Sequence, residues 1–455
     1  MAVARLAPDP EPEPRPTPAT TRAAEAVVRF GLVAVILTLP LEFTASYFWQ
    51  PLARWALAIT GIAFLYLVAV RRREVRLPRQ ASAVVLAVFL AVTLGSWLLT
   101  RAPGSYKGVL DITLYPIAGL LILNVARTED DHRRAWVALL VSGLAVAALG
   151  AILYISHSSI WTPNPAVANR LNITFADPNI TARFLTLCAS AAVLMFAAKK
   201  GPSWLAIATA VACALVTPLT FSRSGLALFI LSVVIAAVVS LKPRRAAALA
   251  AGTLLVFAVS TGVNPVTRDR AASAAMTLAT LVTGSEPNAS TAAPSPRNSG
   301  GIALDDNRKY LVAAGANMFV DHPIVGVGFG GYQHQLLTNY RHYLPNFPNP
   351  DTVSHTAFVT MAAEEGVIGL ALLLAFLVWL GVEAFRARRS LWVQVPVVLI
   401  VPIVLYSQFE GRFLEEPYLW LCLGLLLLEQ LQVTLVAVVP AHPFAPLMGE
   451  IGQAP

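Results

Sequence analysis

Long apolar blocks alternate with short polar loops along this chain. The blocks are about 17–25 residues long, the length of a helix that crosses a bilayer. About twelve can be marked, at roughly 27–46, 51–70, 82–100, 108–126, 134–156, 179–198, 203–220, 222–241, 246–264, 366–385, 391–409 and 417–438. Lipid offers no partner to a bare N–H or C=O, so the blocks are expected as helices. The first block is long and has no small-residue cleavage site behind it, so it reads as a retained span. The rhythm fails once, between the ninth and tenth blocks. The pattern therefore predicts an all-α polytopic membrane protein of about twelve transmembrane helices with one long helical loop. It divides into a disordered tail (1–25), nine helices (26–264), the loop or lid (265–356), three helices (357–438) and a second tail (439–455).

Composition agrees and adds orientation. Hydrophobic residues make up 56% and charged residues only 13%, with mean hydropathy +0.65. A soluble domain would carry about 25% charged residues. Lys and Arg gather in alternate loops: Arg71-Arg72-Arg73 with Arg76 and Arg79, Arg127 with Arg133-Arg134, Lys199-Lys200, Lys242 with Arg244-Arg245, and Arg386 with Arg388-Arg389. Twelve spans put all of these on one side, which the positive-inside rule makes cytoplasmic. Both termini then face the cytoplasm and the long loop faces outward. These clusters account for the net charge of +8. No stripe of basic and aromatic residues points to nucleic acid. Cys188, Cys213 and Cys422 fall within spans, where they read as small buried hydrophobes rather than disulfides or zinc ligands. The N-x-S/T triplets at Asn172, Asn179 and Asn288 read as chance.

The outer loop is uneven. Residues 284–301 are rich in Gly, Ser, Pro, Ala and Asn and read as a flexible insert, as does the Pro-rich stretch 7–20. Asp305-Asp306 can start a helix that carries Arg308, Lys309, Tyr310, Leu311, Ala314, Met318 and Phe319, ending at His322-Pro323. The glycines of Gly326-Val327-Gly328-Phe329-Gly330-Gly331 permit close approach of a ligand or a neighbouring helix. A second polar helix is expected over about 331–344, with Gln333, His334, Arg341 and His342. His355 then starts the helix leading into the tenth span, with Ser354 or Thr356 as its cap. Phe319, Phe329, Tyr332, Tyr340 and Tyr343 would make the lid amphipathic enough to lie on the outer leaflet.

Three stretches resemble the superfamily of bacterial O-antigen ligases and polymerases. They are His322-Pro323-Ile324-Val325-Gly326-Val327-Gly328 with the His355 segment through Glu365-Gly366-Val367-Ile368-Gly369, then Thr220-Phe221-Ser222-Arg223-Ser224-Gly225, then Phe175-Ala176-Asp177-Pro178-Asn179. Where the family has His-Asn, this chain has His355-Thr356. The resemblance covers roughly 165–385. It implies an all-helical membrane glycosyltransferase fold with a periplasmic lid, in the bacterial inner membrane. It also implies transfer of a glycan from undecaprenyl-pyrophosphate at the periplasmic face. A ligase gives the glycan to a sugar hydroxyl of lipid A-core, completing lipopolysaccharide. A polymerase gives it to another carrier-linked repeat, and a related protein O-oligosaccharyltransferase group gives it to Ser or Tyr hydroxyls.

The chemistry has its own requirements. Breaking the C1–O bond of a lipid pyrophosphate donor leaves charge that fixed cations stabilise, and Arg matches phosphate geometry. The acceptor hydroxyl needs a base, and neutral His works near pH 7. Arg223 and Arg308 are therefore the expected pyrophosphate ligands and His355 the expected base, in a direct, inverting attack. Lys309, Arg170, Arg183, Tyr332, His334 and Arg341 are the further substrate-binding candidates. Glu365 could orient a partner, and Glu410 could pair with Arg412. No Asp-x-Asp pair marks a metal in an exported loop, so no cofactor is expected and transfer is expected to be metal-independent. Each residue has a plainer reading: Arg223 as a snorkelling residue, Arg308 as a solvated charge, His355 as a helix cap. A twelve-span lipid or sugar transporter is the other class. It would show repeated halves and midplane charges, whereas Asp111, Arg183 and Glu383 lie near span ends or alone. The short tail after the last span, Ala441 to Pro455, favours a ligase over the protein-modifying group.

Overall fold

The computed structural model describes residues 18–163, 170–272, 302–344, 353–411 and 413–438, with backbone only at 302–308, 410 and 428–438. The expected flexible insert 284–301 and the tail 439–455 lie outside the described residues, as does most of the Pro-rich stretch. The tail expected to reach residue 25 is helical from Ala19.

Every described element is helical. In chain order they are α1 (Ala19–Thr38), α2 (Ala45–Phe48), α3 (Leu52–Ala69), α4 (Ala81–Thr100), α5 (Tyr106–Val125), α6 (Glu129–Ile155), α7 (Pro178–Ala198), α8 (Ser203–Val216), α9 (Arg223–Val239) and α10 (Pro243–Val263). The long loop after α10 holds α11 (Ile302–Asp321) and α12 (Tyr332–Thr338), and α13 (Ala357–Arg386), α14 (Leu391–Glu410) and α15 (Pro417–Val438) follow. Among the described residues, nine helices are long and apolar enough to cross a membrane, or up to ten if a bent pair counts as one span. Two further apolar helices are shorter, Arg223–Val239 and Pro417–Leu427. The protein is thus a multi-pass, all-helical membrane protein.

The first span departs from expectation. It is not one rod over 27–46: α1 ends at Thr38, and the following helical segment Glu42–Phe48 turns away by 97°. Pro40 explains the break, since it has no N–H to continue the ladder. The turned segment packs on residues 174–176. The Phe43 N–H donates to the Thr174 carbonyl (3.2 Å) and the Ala176 N–H to Glu42 Oε2 (3.1 Å).

At the centre stands α7, 89% of whose span is buried inside the protein. It packs against α6, α8, α9, α10 and α14. Small residues allow the close approach. A Cβ on Gly143 of α6 would sit 2.6 Å from the Cys188 Cβ of α7, and one on Gly225 of α9 would sit 2.7 Å from the Ala182 Cβ. All three cysteines are free and buried, as their positions in spans suggest.

Hydrogen bonds tie the basic loops to one end of the bundle. Asn124 clamps Arg76 through both its N–H (2.6 Å) and its carbonyl (2.9 Å). Lys200 pairs with Glu129, and Arg245 donates to the Ala197 carbonyl (3.3 Å). Gln394 donates to the carbonyls of Val239 and Arg388 (both 3.0 Å). The lid and the remaining candidate residues gather at the opposite end.

Candidate active site

One half of the site is a strained corner before α9. Phe221 is held at φ 53°, a left-handed conformation unfavourable for a bulky residue. Arg270 holds it there, donating to the Phe221 carbonyl (2.7 Å) with its guanidinium 5.9 Å from the ring centre. Arg170 holds the preceding residue, donating to the Thr220 carbonyl (3.1 Å). Its other arm donates to Asn179 Oδ1 (3.0 Å). Asn179 is fixed in turn because Asp177 caps α7 by accepting its N–H (2.6 Å), with Pro178 at the first helical position. The Asp177-Pro178-Asn179 and Thr220–Gly225 motifs are thus one unit joined through Arg170. Ser222 caps α9 by accepting the Gly225 N–H (3.0 Å). Arg223, half-buried, is the first residue of α9. A cation there opposes the positive end of the helix, an arrangement that favours a nearby anion.

The other half is the lid and its dock. α13 is broken at Gly366 (φ 63°, ψ −157°). The break exposes backbone groups, and the turn after His322-Pro323 satisfies them. Val327 and Gly328 donate to the carbonyls of Ala363 (2.9 Å) and Glu364 (2.8 Å). In return, Val367 donates to the Pro323 carbonyl (2.8 Å). Two glycines make this crossing possible. A Cβ on Gly326 would lie 2.3 Å from the Glu364 carbonyl carbon, and one on Gly366 would lie 2.4 Å from that of Ile324. The glycine-rich turn therefore approaches a neighbouring helix, one of its two expected uses. Glu364 reinforces it by accepting the Tyr332 N–H (3.1 Å), and Glu365 is hydrogen-bonded to Thr93 of α4 (2.9 Å).

The lid has a small core of Leu311, Ala314, Met318, Tyr332, Leu336, Tyr340 and Ala363. Tyr332 is fully buried and donates to the Leu311 carbonyl (2.5 Å), so its hydroxyl serves the lid core and not a ligand. Tyr340 donates to Asp321 (2.6 Å); burial and that carboxylate push its hydroxyl up to about 12. This fold-back ends α12 at Thr338, short of the helix expected over 331–344, and leaves a 3-10 turn at Arg341–Tyr343. The amphipathic reading of the lid changes in the same way. Phe329, Tyr332 and Tyr340 turn inward, while Val320, Ile324, Val325, Val367 and Ile368 form its exposed apolar face.

His355 lies in the approach to α13, not in the helix, which begins at Ala357. Its backbone is left-handed (φ 57°), and it sits on Gly411, where a Cβ would be 3.2 Å from its N. Ser354 shapes this approach: it accepts the Thr356 N–H (3.1 Å) and pairs with Thr360 Oγ1 (2.8 Å). Thr356 provides no side-chain cap.

The C-terminal end of α14 brings the halves together. Tyr406 donates to the Gly225 carbonyl in the first turn of α9 (3.4 Å), and Gly411 carries His355. These contacts are separated by about 7.5 Å of helix rise. Arg308 lies in the first part of α11, as a backbone position only, and α11 packs on α13. Lys309 and Arg341 are exposed on the lid and His334 is half-buried.

The charges that read as isolated in the spans are all partnered. Arg183 is buried against Glu416, Asp111 pairs with Arg54, and Glu383 accepts from Ser82. Arg183 therefore faces a protein carboxylate and not open solvent. Arg54 also donates to Gln50 (2.6 Å) and Tyr115 (3.4 Å). Sequence reasoning missed Arg54, Arg270 and Glu416. Opposite charges near the ends of neighbouring spans could have revealed the pair of Arg54 and Asp111. Glu410 has no described side chain, and Arg412 lies outside the described residues. Among the described residues, no group of three His, Cys, Asp or Glu could hold a metal.

A family model described as O-antigen ligase matches residues 208–374, from α8 into the membrane part of α13. Over those residues the chain is similar to that family. The family is one of enzymes. The matched segment contains Arg223, Arg308, Lys309, Tyr332, His334, Arg341 and His355, while Arg170 and Arg183 precede it. No curated protein matches the chain.

Proposed function

We propose that this protein is an O-antigen ligase, moving O-antigen glycan from undecaprenyl-pyrophosphate to a sugar hydroxyl of lipid A-core. The reading includes twelve spans in a bacterial inner membrane, with cytoplasmic termini and a periplasmic site. The bent first helix and the two shorter apolar helices supply the spans beyond nine.

The supporting observation is the shared seat of His355 and the first turn of α9 on the outer end of α14. His355 takes the proton of the acceptor hydroxyl as its oxygen forms the new bond to C1. The C1–O bond to the pyrophosphate breaks, its electron pair leaves with the lipid carrier, and the anomeric centre inverts. Arg223 and Arg308 stabilise the departing charge, and the chemistry needs no metal. Arg170 and Arg270 keep Arg223 in place through the carbonyls on either side of the corner. Lys309, His334 and Arg341 line the solvent-facing side of the lid, where the glycan extends. The apolar face around Ile324, Val325 and Val367 meets the outer leaflet, from which the lipid carrier arrives.

Complementation of a ligase-deficient Gram-negative host, read on a lipopolysaccharide gel, tests this. Wild type should restore the long-chain ladder on lipid A-core, while His355→Ala and Arg223→Ala should not. Longer carrier-linked chains without a ladder would make the protein a polymerase. A full ladder from His355→Ala would end the assignment of the base.

A further inference from the structure

The break in α13 is pinned to α4 as well as to the lid turn. α4 presents Thr93, Ser96 and Thr100 on one side, at three- and four-residue spacing. The last two serve the lid turn. Ser96 Oγ accepts the Phe329 N–H (3.2 Å), and a Cβ on Gly328 would lie 2.3 Å from Thr100 Oγ1. Thr93, about 10 Å of helix rise before Thr100, serves α13 instead. Its Oγ1 lies 2.9 Å from Glu365 Oε2. The glycine one turn on leaves room for the carboxyl: a Cβ on Gly369 would sit 2.3 Å from the Glu365 Cβ and 2.8 Å from Oε2.

The surroundings of that carboxyl suit its neutral form. Glu365 is 2% exposed and Thr93 is fully buried. α4 carries no charged side chain from Ala81 to Thr100, and among the described residues Glu365 forms no ion pair. The adjacent Glu364 has the same sign and turns to the lid, where it accepts the Tyr332 N–H (3.1 Å). Glu365 Oε1 has no hydrogen-bond partner. An ionised carboxylate would therefore rest on one neutral hydroxyl, a costly state for a buried charge. That hydroxyl has a single proton, and the Phe89 carbonyl oxygen lies 3.0 Å from it in the preceding turn. A chain in which Glu365 donates to Thr93 and Thr93 to Phe89 uses both protons and leaves no buried charge.

We propose that Glu365 keeps its proton and acts as an uncharged latch, donating to Thr93 and so holding the break of α13 on α4 beside the lid turn. It is a positioning residue. The stretch from Ala357 to Glu365 spans about 12 Å of helix rise, and the His355 segment at its entry sits on Gly411. The latch holds the other end, next to the carbonyls of Ala363 and Glu364 that receive the lid turn. Releasing it loosens the lid turn and the His355 segment together.

The test uses the purified full-length protein in an ester-free detergent. It needs no glycan substrate, so its outcome is independent of the reaction proposed above. Amide hydrogen exchange over residues 326–332, read by mass spectrometry, reports lid docking. Infrared difference spectra between wild type and Glu365→Gln report the proton. Gln keeps an uncharged donor, so Glu365→Gln should exchange as wild type does, while Glu365→Ala should exchange about 5-fold faster. Should Glu365→Ala fold poorly, the near-isosteric Thr93→Val takes its place, with the same expected gain. The difference spectrum should contain the carbonyl stretch of a protonated carboxylic acid. A carboxylate band in its stead would overturn the proposal. So would Glu365→Gln exchanging as fast as the alanine variant, which would mean that a charge is required. Wild-type exchange in Glu365→Ala or Thr93→Val would equally sink it, since no latch would then exist there.

Discussion

Arg183 illustrates what a single residue does in this bundle. Its charge is buried in the central helix and answered by Glu416 at the start of α15, which itself accepts the Tyr418 N–H (3.4 Å). Burial pushes the Glu416 carboxyl up, and Arg183 opposes that shift. Removing one partner strands the other. Arg183→Ala is expected to destabilise the protein by about 3–5 kcal/mol, and adding Glu416→Gln should recover part of the loss. Thermal unfolding of wild type and the two variants in detergent checks this, and an Arg183→Ala protein as stable as wild type would remove the pair from the account. Arg270 acts differently: it holds a strained phenylalanine two residues before the one proposed to bind pyrophosphate. Neither role is written in local sequence, because each depends on a partner more than forty residues away.

Among elements, α13 is the one on which the lid depends. Its break at Gly366 has a backbone geometry open essentially to glycine alone. Gly366→Ala is expected to cost about 3 kcal/mol or more, from strain together with the clash against Ile324. The readout is a lower unfolding temperature in detergent and a lost ladder on the gel; a variant with wild-type values in both would show that the crossing can relax. The sequence made the spans legible, since block length and hydropathy are properties of each segment alone. It placed α7, α9, α10 and α14 to within a few residues. The bend after α1 was readable at Pro40, where the apolar run simply masked it. The break in α13 was not, because Glu364-Glu365-Gly366-Val367-Ile368 fits an unbroken helix by pattern. What breaks it is hydrogen bonding to residues 323–328, a tertiary effect. Arg223 and His355 stand out in the sequence as motif residues, but the contacts that seat the first turn of α9 and the His355 segment on α14 do not.

At the scale of the molecule, the two ends differ in kind. One is basic and held by short clamps between loops; the other carries the lid, the strained corner and the buried ion pairs. The proposed orientation has a direct check. In a background with Cys188, Cys213 and Cys422 replaced, Thr338→Cys should react with a membrane-impermeant maleimide in intact spheroplasts. Arg388→Cys should react only after permeabilisation, and the reverse pattern would invert the protein. The crossing at Gly366 also bears on biogenesis. Residues 323–328 leave the ribosome before residues 363–368, so the turn emerges ahead of the groups it must bond. The crossing therefore closes only once the segment 363–367 has also emerged, so the lid docks after the start of α13 has been made.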